Sequence, residues 1–440
     1  MAVRELTRWI TAPPALAAFG EARTLKAREY ALLWGGLSMS MLAFLPGAYL
    51  VPALTLRDAA LIALLGSAGG AAVLGIVAAV AVRRGQNTVG LLSSTLGVPA
   101  GTLLATLLLL RHVAWATFAL AFATEAATHV PGAGDSAVLW GVGFGAAGLA
   151  LALLPPQTFV RRWMGWFAFW VGLLLIALIT ITGIFSYGIP VLHDADGMGG
   201  WPTLAQGFDL VAAMPLLWLP VVADYTRDAR SPRDAGVGAF AGSGLITAWF
   251  VIVGVLWVFT VNARDVAAFV TALPVGIGGL VVILALEADQ VAANVYAASM
   301  AGGRFGYRYF RPALVAAAAL AAVFVVTTDA MGVEDFVLML SNLFLPLFGV
   351  VLARHLVPEA PKALVWAAWV AGVLAFGWIN PSTVGPWHDA MKVVYVGILQ
   401  APFPLGGELT QVPATAVSLA VAFGGYLLLA WPWWFFRKEF

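Results

Sequence analysis

Apolar stretches of about twenty residues, the length of helix that crosses the hydrocarbon core of a bilayer, recur twelve times along this chain. In lipid every backbone N–H and C=O has to be satisfied inside the protein, so such a chain is confined to helices or a closed barrel. Runs this long and this uniformly apolar read as helices. They fall at 29–54, 58–82, 99–125, 137–156, 160–186, 207–225, 236–261, 274–300, 312–329, 336–355, 363–380 and 412–436, numbered here as spans 1 to 12. Only 10% of the 440 residues are charged, and the mean hydropathy is +0.93. Soluble domains could not hide that much apolar surface. The expected class is an all-α polytopic membrane protein. Stretch 387–404 is ambiguous between a span and an interfacial segment.

Charge sets the expected orientation. Of the 23 Lys and Arg residues, only Arg57, Arg264 and Lys392 fall in outer segments if the N-terminus is inside, and Arg111 falls within a span. That asymmetry follows the positive-inside rule. It predicts a multi-pass protein of the cell membrane with both termini cytoplasmic: a basic arm at 1–28 and a short tail at 437–440. A net charge of +1 implies no nucleic-acid partner. The chain has no cysteine, no H-x-x-x-H pair and no G-x-x-x-x-G-K-[ST] loop. Disulfides, thiolate chemistry, a zincin helix and ATP-driven pumping are therefore not expected. No nucleophile–base pair or metal cluster stands out, so an enzyme is not expected. A channel is disfavoured because pore-like charged rings are missing.

Two spans are interrupted at matching positions. Span 1 reads WGGLSMSMLAFLPGAYLVPAL, with Gly35, Gly36, Ser38, Ser40, Pro46 and Gly47 inside it. Span 6 reads LVAAMPLLWLPVVADY, with Pro215 and Pro220. Proline removes a backbone hydrogen bond, and the freed carbonyl needs another partner. Interrupted helices five spans apart point to an inverted-repeat transporter. Spans 3 and 8 also correspond in a five-plus-five repeat, and both carry charge at mid-depth: Arg111 with His112, and Glu287 with Asp289. A charge there costs a few kcal/mol or more, so it faces a bundle interior or a wet cavity and marks an ion or substrate path.

Four segments carry a resemblance to a known family. Span 1 with its exit, GGLSMSMLAFLPGAYLVPALTLRDAALIALLGS, is one. AVAVRRGQNTVGLLSSTLG resembles a G-x-x-T-G-L-x-T loop with a re-entrant stretch after it. WLPVVADYTRDARS resembles an A-D-[FY]-x-R ending, and FVLMLSNLFLPLFGVVLARHL resembles F-x-x-x-L-S-x-x-x-x-P-x-x-G-V. Together they resemble the nucleobase–cation symporters, the cytosine/purine/hydantoin permeases. The segment after span 6 is most similar to the branch linked to cytosine or to hydroxymethylpyrimidine, the thiamine precursor. The resemblance implies a LeuT-type fold: inverted five-helix repeats at 29–186 and 207–356, and two additional helices within 363–436. It implies cation-coupled uptake of a small flat nitrogen heterocycle by a protein that functions as a monomer, with Na+ or H+ as coupling ion and no cofactor. An amino-acid or amine symporter of the same fold is the alternative, although span 1 offers few donors beyond its backbone, Ser38 and Ser40.

The candidate site residues follow. On span 3, Trp115 can stack on a planar base, and His112 or Arg111 can bond its edge; packing and interhelical bonding explain the same residues equally well. On span 8, Glu287, Gln290 and Asn294 share a stripe, and Gln290 or Asn294 takes the position that the resemblance gives to substrate. Ala285, Ala288, Asp289 and Ala292 form a neighbouring small-residue face. Where related permeases place sodium-binding hydroxyls, this chain puts Asp289, with Ala285 and Glu287 nearby. A carboxylate there either ligates sodium or carries a proton, and the broken hydroxyl pair favours the proton. Glu287 is also expected to form a structural ion pair with Arg111. On span 6, Pro215 falls where the family has a ring-stacking aromatic, so Met214, Pro215 and Trp218 become candidates, while Asp224 reads as a cap or gate. On span 1, Gly36 and Ser40 share a face, where close backbone approach to substrate and simple helix packing are both open.

Overall fold

The computed structural model describes residues 23–187, 197–261, 278–305, 310–327, 334–380, 385–401 and 412–436. Most of the N-terminal arm, Arg264 and the 437–440 tail lie outside them. Among the described residues, eight helices are long and apolar enough to cross a membrane: Leu56–Arg84, Val98–Thr128, Pro156–Ile181, Leu204–Thr226, Pro232–Val258, Gly279–Phe305, Lys362–Ile379 and Ala414–Trp433. A ninth crossing is the pair Ala27–Leu37 and Met41–Leu50, bent by 79° at its break. Three shorter apolar helices, Ala137–Ala152, Pro312–Thr327 and Asn342–Leu356, occupy spans 4, 9 and 10. All twelve expected spans thus have a helical counterpart. The 385–401 stretch is a short helix, Gly385–Lys392, continued by one wide turn, and is too short to cross.

Local chemistry sets many of the helix ends. Thr55, Asn87, Ser136 and Thr203 each accept a backbone N–H at the start of a helix through a side-chain oxygen. Gly85 ends span 2 in the left-handed region at φ 61°. Asp224, at the C-terminal end of span 6, is almost fully buried and accepts from Thr88 N at 3.0 Å, which caps the short helix Thr88–Leu96. Arg354 donates to Thr95 O at 2.9 Å at the other end of that helix. The acid sits at the positive end and the base at the negative end of the helix dipole. Asp224 is therefore a structural cap, one of the two roles its position allowed.

Span 7 packs along both span 1 and span 2. Glycine makes the contact close: a Cβ added to Gly254 would lie 2.1 Å from the carbonyl oxygen of Phe44, in the second half of the broken span. At the same end of the bundle as Asp224, the chain before span 1 is laced to the end of span 6. Leu25 pairs with the 228–230 backbone, and Tyr30 donates towards the carbonyls of Tyr225 and Thr226 at 3.2 Å each. Arg161 of span 5 is ion-paired to Glu29 at 2.5 Å. These contacts close that end of the bundle beneath the breaks.

Gly254→Val is expected to destabilise the protein by about 1–3 kcal/mol through overpacking, read as a lowered unfolding temperature in detergent. Gly143→Val, where an added Cβ meets nothing within 4 Å, serves as the neutral reference.

Candidate functional site

The break in span 1 is held open by span 8. An unbroken helix would bond Met41 N–H to the carbonyl of Leu37. Instead Met41 N donates to Glu287 Oε1 at 2.7 Å, and the Leu37 carbonyl accepts from Gln290 Nε2 at 2.9 Å. Glu287 and Gln290 are three residues apart and share a helix face, so one side of span 8 satisfies both halves of the missing bond. Ser40 caps the next turn by accepting from Leu42 N at 3.1 Å, and its hydroxyl lies 3.0 Å from Glu287 Oε1. Ser38 bonds Ser243 of span 7 at 2.9 Å.

Span 6 is interrupted at Leu217–Trp218 but keeps its direction, with no bend of the kind seen in span 1. The N–H groups of Val221 and Val222 both turn to the Trp218 carbonyl. The carbonyl of Leu217 is thereby freed, and Arg111 Nη2 takes it at 2.7 Å. Arg111 also lies over the indole of Trp115, 5.7 Å from its centroid. Next to it on span 3, His112 Nδ1 is 3.2 Å from Asn294 Oδ1, and Asn294 Nδ2 donates to the Gln290 carbonyl at 3.0 Å. That leaves Asn294 Oδ1 as an acceptor for His112 Nδ1, while Arg111 Nη1, a donor only, lies 3.4 Å from the same nitrogen, so the two contacts ask for opposite tautomers.

Between the two breaks lies a cavity lined by spans 1, 3, 6, 7 and 8. Its water-accessible volume is about 50 Å³, where one water needs on the order of 10–15 Å³ by that measure. As it stands it holds a few waters, and a ring would enter only with movement of its walls. Of the residues anticipated from sequence, Ser40, Arg111, Trp115, Met214, Trp218, Glu287, Gln290 and Asn294 line it. The others are placed elsewhere. His112 is buried against Asn294 and positions that amide without reaching the cavity wall. Gly36 packs on span 5, where an added Cβ would meet Met164 Sδ at 2.6 Å. Pro215 is buried inside the first helix of span 6, which runs on to Leu216, and does not face the cavity. Ala285 and Asp289 are buried on another side of span 8.

The expected ion pair between Arg111 and Glu287 is not formed. No contact within 4 Å joins them; Arg111 reaches the freed carbonyl of span 6 and Glu287 the freed N–H of span 1. Both border the same cavity. Sequence reading missed Phe118 and Phe122 in the wall, although they continue the stripe of Arg111 and Trp115 along span 3. It also missed the backbone of Leu37 and Leu217, and Thr247 of span 7, for which no sequence signal exists.

Asp289 is fully buried, and neither carboxylate oxygen makes a hydrogen bond of normal geometry. The groups acting on it electrostatically are Glu287 and the Gln290 amides. On the far side of it, Tyr225 stacks near Tyr296 at 5.1 Å, and Arg227 donates to the Tyr296 hydroxyl at 2.7 Å.

No family model matches this chain, and no curated protein matches it. Solved structures do. One is Mhp1, a nucleobase-cation-symport-1 family transporter, in a closed conformation with bromovinylhydantoin bound: 14% identity, TM-score 0.66, covering 98% of this chain and 95% of that one. The inward-facing conformation of Mhp1 matches at TM-score 0.61 and 14% identity over 93% and 92% of the two chains. A Na+-coupled sialic acid symporter in a substrate-bound outward-open state matches at TM-score 0.64 and 13% identity, over 98% and 95%. This chain has the fold of those transporters, the LeuT-type arrangement. These neighbours are transporters and not enzymes.

Gln290→Leu removes the donor from the Leu37 carbonyl and should cost about 1–3 kcal/mol, the price of a buried group left unbonded. Thermal unfolding of the ligand-free protein, with Met214→Leu as a reference in the same cavity wall, measures it.

Proposed function

We propose that this protein is a secondary active transporter that moves a small nitrogen heterocycle of the nucleobase type across the cell membrane, coupled to a cation, by alternating access. The observation that carries the reading is the cavity at the two helix breaks, lined by an indole, a guanidinium, a carboxylate and two amides. The likeness in fold to cation-coupled symporters, one of them solved with a hydantoin bound, supports it. The cavity's small volume favours one ring over two, hence a pyrimidine such as cytosine or hydroxymethylpyrimidine over a purine. The inverted repeats at 29–186 and 207–356 would rock about this site, with both termini cytoplasmic and one chain as the working unit.

In this reading Trp115 stacks on the ring, Trp218 and Met214 close the apolar side, and Gln290 or Asn294 bonds the ring edge. Gln290 already holds Leu37 through its Nε2, so its Oε1 is what it offers to a ligand. Uptake of labelled cytosine, uracil, adenine, hypoxanthine, allantoin and hydroxymethylpyrimidine into a transport-deficient host tests the substrate class. Saturable accumulation of at least one single-ring compound is expected, lost in Trp115→Ala; no accumulation of any of them would refute the heterocycle reading.

Asp289 is the coupling group in this proposal. It is a buried carboxylate whose oxygens make no hydrogen bond of normal geometry, with the Gln290 amides the nearest donors; it stands outside the substrate cavity and shares span 8 with the residues that hold the break of span 1. A proton or a sodium ion there would neutralise an otherwise isolated charge, and the lack of neighbouring hydroxyl ligands on Ala285 and Ala288 favours the proton. Asp289→Asn is expected to abolish uphill accumulation in proteoliposomes while leaving substrate exchange within about twofold. Transport driven by a sodium gradient and indifferent to a pH gradient would replace the proton with sodium; undiminished accumulation in Asp289→Asn would remove the residue from coupling.

A further inference from the structure

Spans 1 and 5 do not meet flush where they begin. Between them, at the end of the bundle that is cytoplasmic in the proposed orientation, lies an open cleft with a water-accessible volume of about 700 Å³. Span 5 starts there as a wide helix, Phe159–Ala168, before its regular turns from Phe169. Three cations border the cleft, Lys26 and Arg28 at the start of span 1 and Arg161 at the start of span 5, against one carboxylate, Glu29. That carboxylate is spent inside the protein: Oε1 takes Arg161 Nε at 2.5 Å and Oε2 takes the Lys26 N–H at 2.8 Å. Arg161 Nη2 donates to Thr24 Oγ1 at 3.1 Å, which leaves Nη1 for an outside acceptor. Lys26 and Arg28 are exposed, and neither side chain forms an ion pair among the described residues. Within those residues the cleft carries an excess of positive charge.

The cleft also runs into an apolar track on the outside of span 5. Trp166 and Trp170 line it and are 83% and 46% exposed. Trp170 is pinned by its Nε1, which donates to the Gly165 carbonyl at 2.7 Å. Leu174, Leu178 and Ile181 continue the same face at helical spacing, all exposed. In a bilayer such a stripe lies along acyl chains, and tryptophan favours the headgroup level. A cationic cleft therefore opens at headgroup depth directly onto an acyl-chain track. We infer that the cleft is a site for an anionic phospholipid, its phosphate held among Lys26, Arg28 and Arg161 Nη1 and its chains laid along Trp166, Trp170 and Leu174. A soluble phosphate would meet the same cations but leave the apolar track uncovered. The bound lipid ties the start of span 1 to the start of span 5 and so reinforces the Arg161–Glu29 pair that helps close this end of the bundle. The site is separate from the central cavity and does not depend on what that cavity carries.

The test is native mass spectrometry of the purified full-length protein in detergent, titrated with dioleoyl phosphatidylglycerol or dioleoyl phosphatidylcholine. The first phosphatidylglycerol is expected to bind at least about tenfold more tightly than the first phosphatidylcholine. Lys26→Gln combined with Arg28→Gln should bring the two lipids within about threefold of each other. Arg83→Gln combined with Arg233→Gln removes two exposed cations at the same end but outside the cleft, and should leave the preference unchanged. Trp166→Ala, at a side chain that is almost wholly exposed, should weaken phosphatidylglycerol by about threefold and serves if the first double variant does not fold. Glycerol 3-phosphate, the head group without chains, should not displace the lipid at about a hundredfold excess. Displacement at that excess would make this a soluble-phosphate site and overturn the lipid assignment. Equal binding of the two lipids by the parent, or an equal loss of preference in both double variants, would reduce the effect to general surface charge and overturn the inference. So would undiminished phosphatidylglycerol binding in either the Lys26 and Arg28 double variant or Trp166→Ala.

Discussion

One missing hydrogen bond organises the centre of this protein. Inside a bilayer, a helix that opens between Leu37 and Met41 exposes a carbonyl and an N–H that water cannot reach. Span 8 supplies the replacement, an amide for the carbonyl and a carboxylate for the N–H, from Gln290 and Glu287 on one face. The break therefore depends on a neighbouring helix and persists only while the two stay in register. The same logic recurs at the second interruption, where Arg111 of span 3 takes the carbonyl that Val221 gives up. Arg111 and Glu287, two of the mid-depth charges that looked like expensive anomalies, thus repair backbone groups that the breaks expose.

The cavity follows from that repair. Two interrupted helices cannot pack tightly against each other at the interruptions, and the side chains that mend them have to converge on the gap. The gap is consequently polar on two sides and aromatic on a third, with Trp115, Phe118 and Phe122 along span 3. Elsewhere several helices pack closely. Glycines let span 7 approach the backbone of span 1, and the lacing of Leu25 and Tyr30 to the end of span 6 seals one end. A central opening surrounded by dense packing is the physical precondition for a site that a substrate can occupy from one side at a time.

Much of this was legible in the chain. Ser38, Ser40 and Pro46 in span 1, and Pro215 and Pro220 in span 6, announce breaks because proline lacks an N–H and because short hydroxyl side chains compete for backbone groups. Glu287, Gln290 and Asn294 declare a polar stripe by their spacing alone. The pairing of Arg111 with Glu287 was the natural guess from two opposite charges at one depth, and it failed. Each instead reaches a backbone group whose exposure cannot be read from sequence. His112 failed as a wall residue in a similar way: one position of helical rotation separates it from Arg111, and that step decides between the cavity and the interface with Asn294.

The sequence by itself determined that this is a helical membrane protein, where its apolar helices lie, which two are interrupted and which few polar residues sit at their depth. Hydrophobic length and proline chemistry are local properties, and lipid as solvent leaves the backbone little choice. Only the tertiary structure decided what each of those polar residues faces. It turned Asp289 away from the cavity, sent Arg111 to Leu217 and Glu287 to Met41, and made Asp224 the cap of a distant helix. Those outcomes depend on how helices far apart in sequence rotate against each other, and a rotation of one residue exchanges a binding group for a structural one.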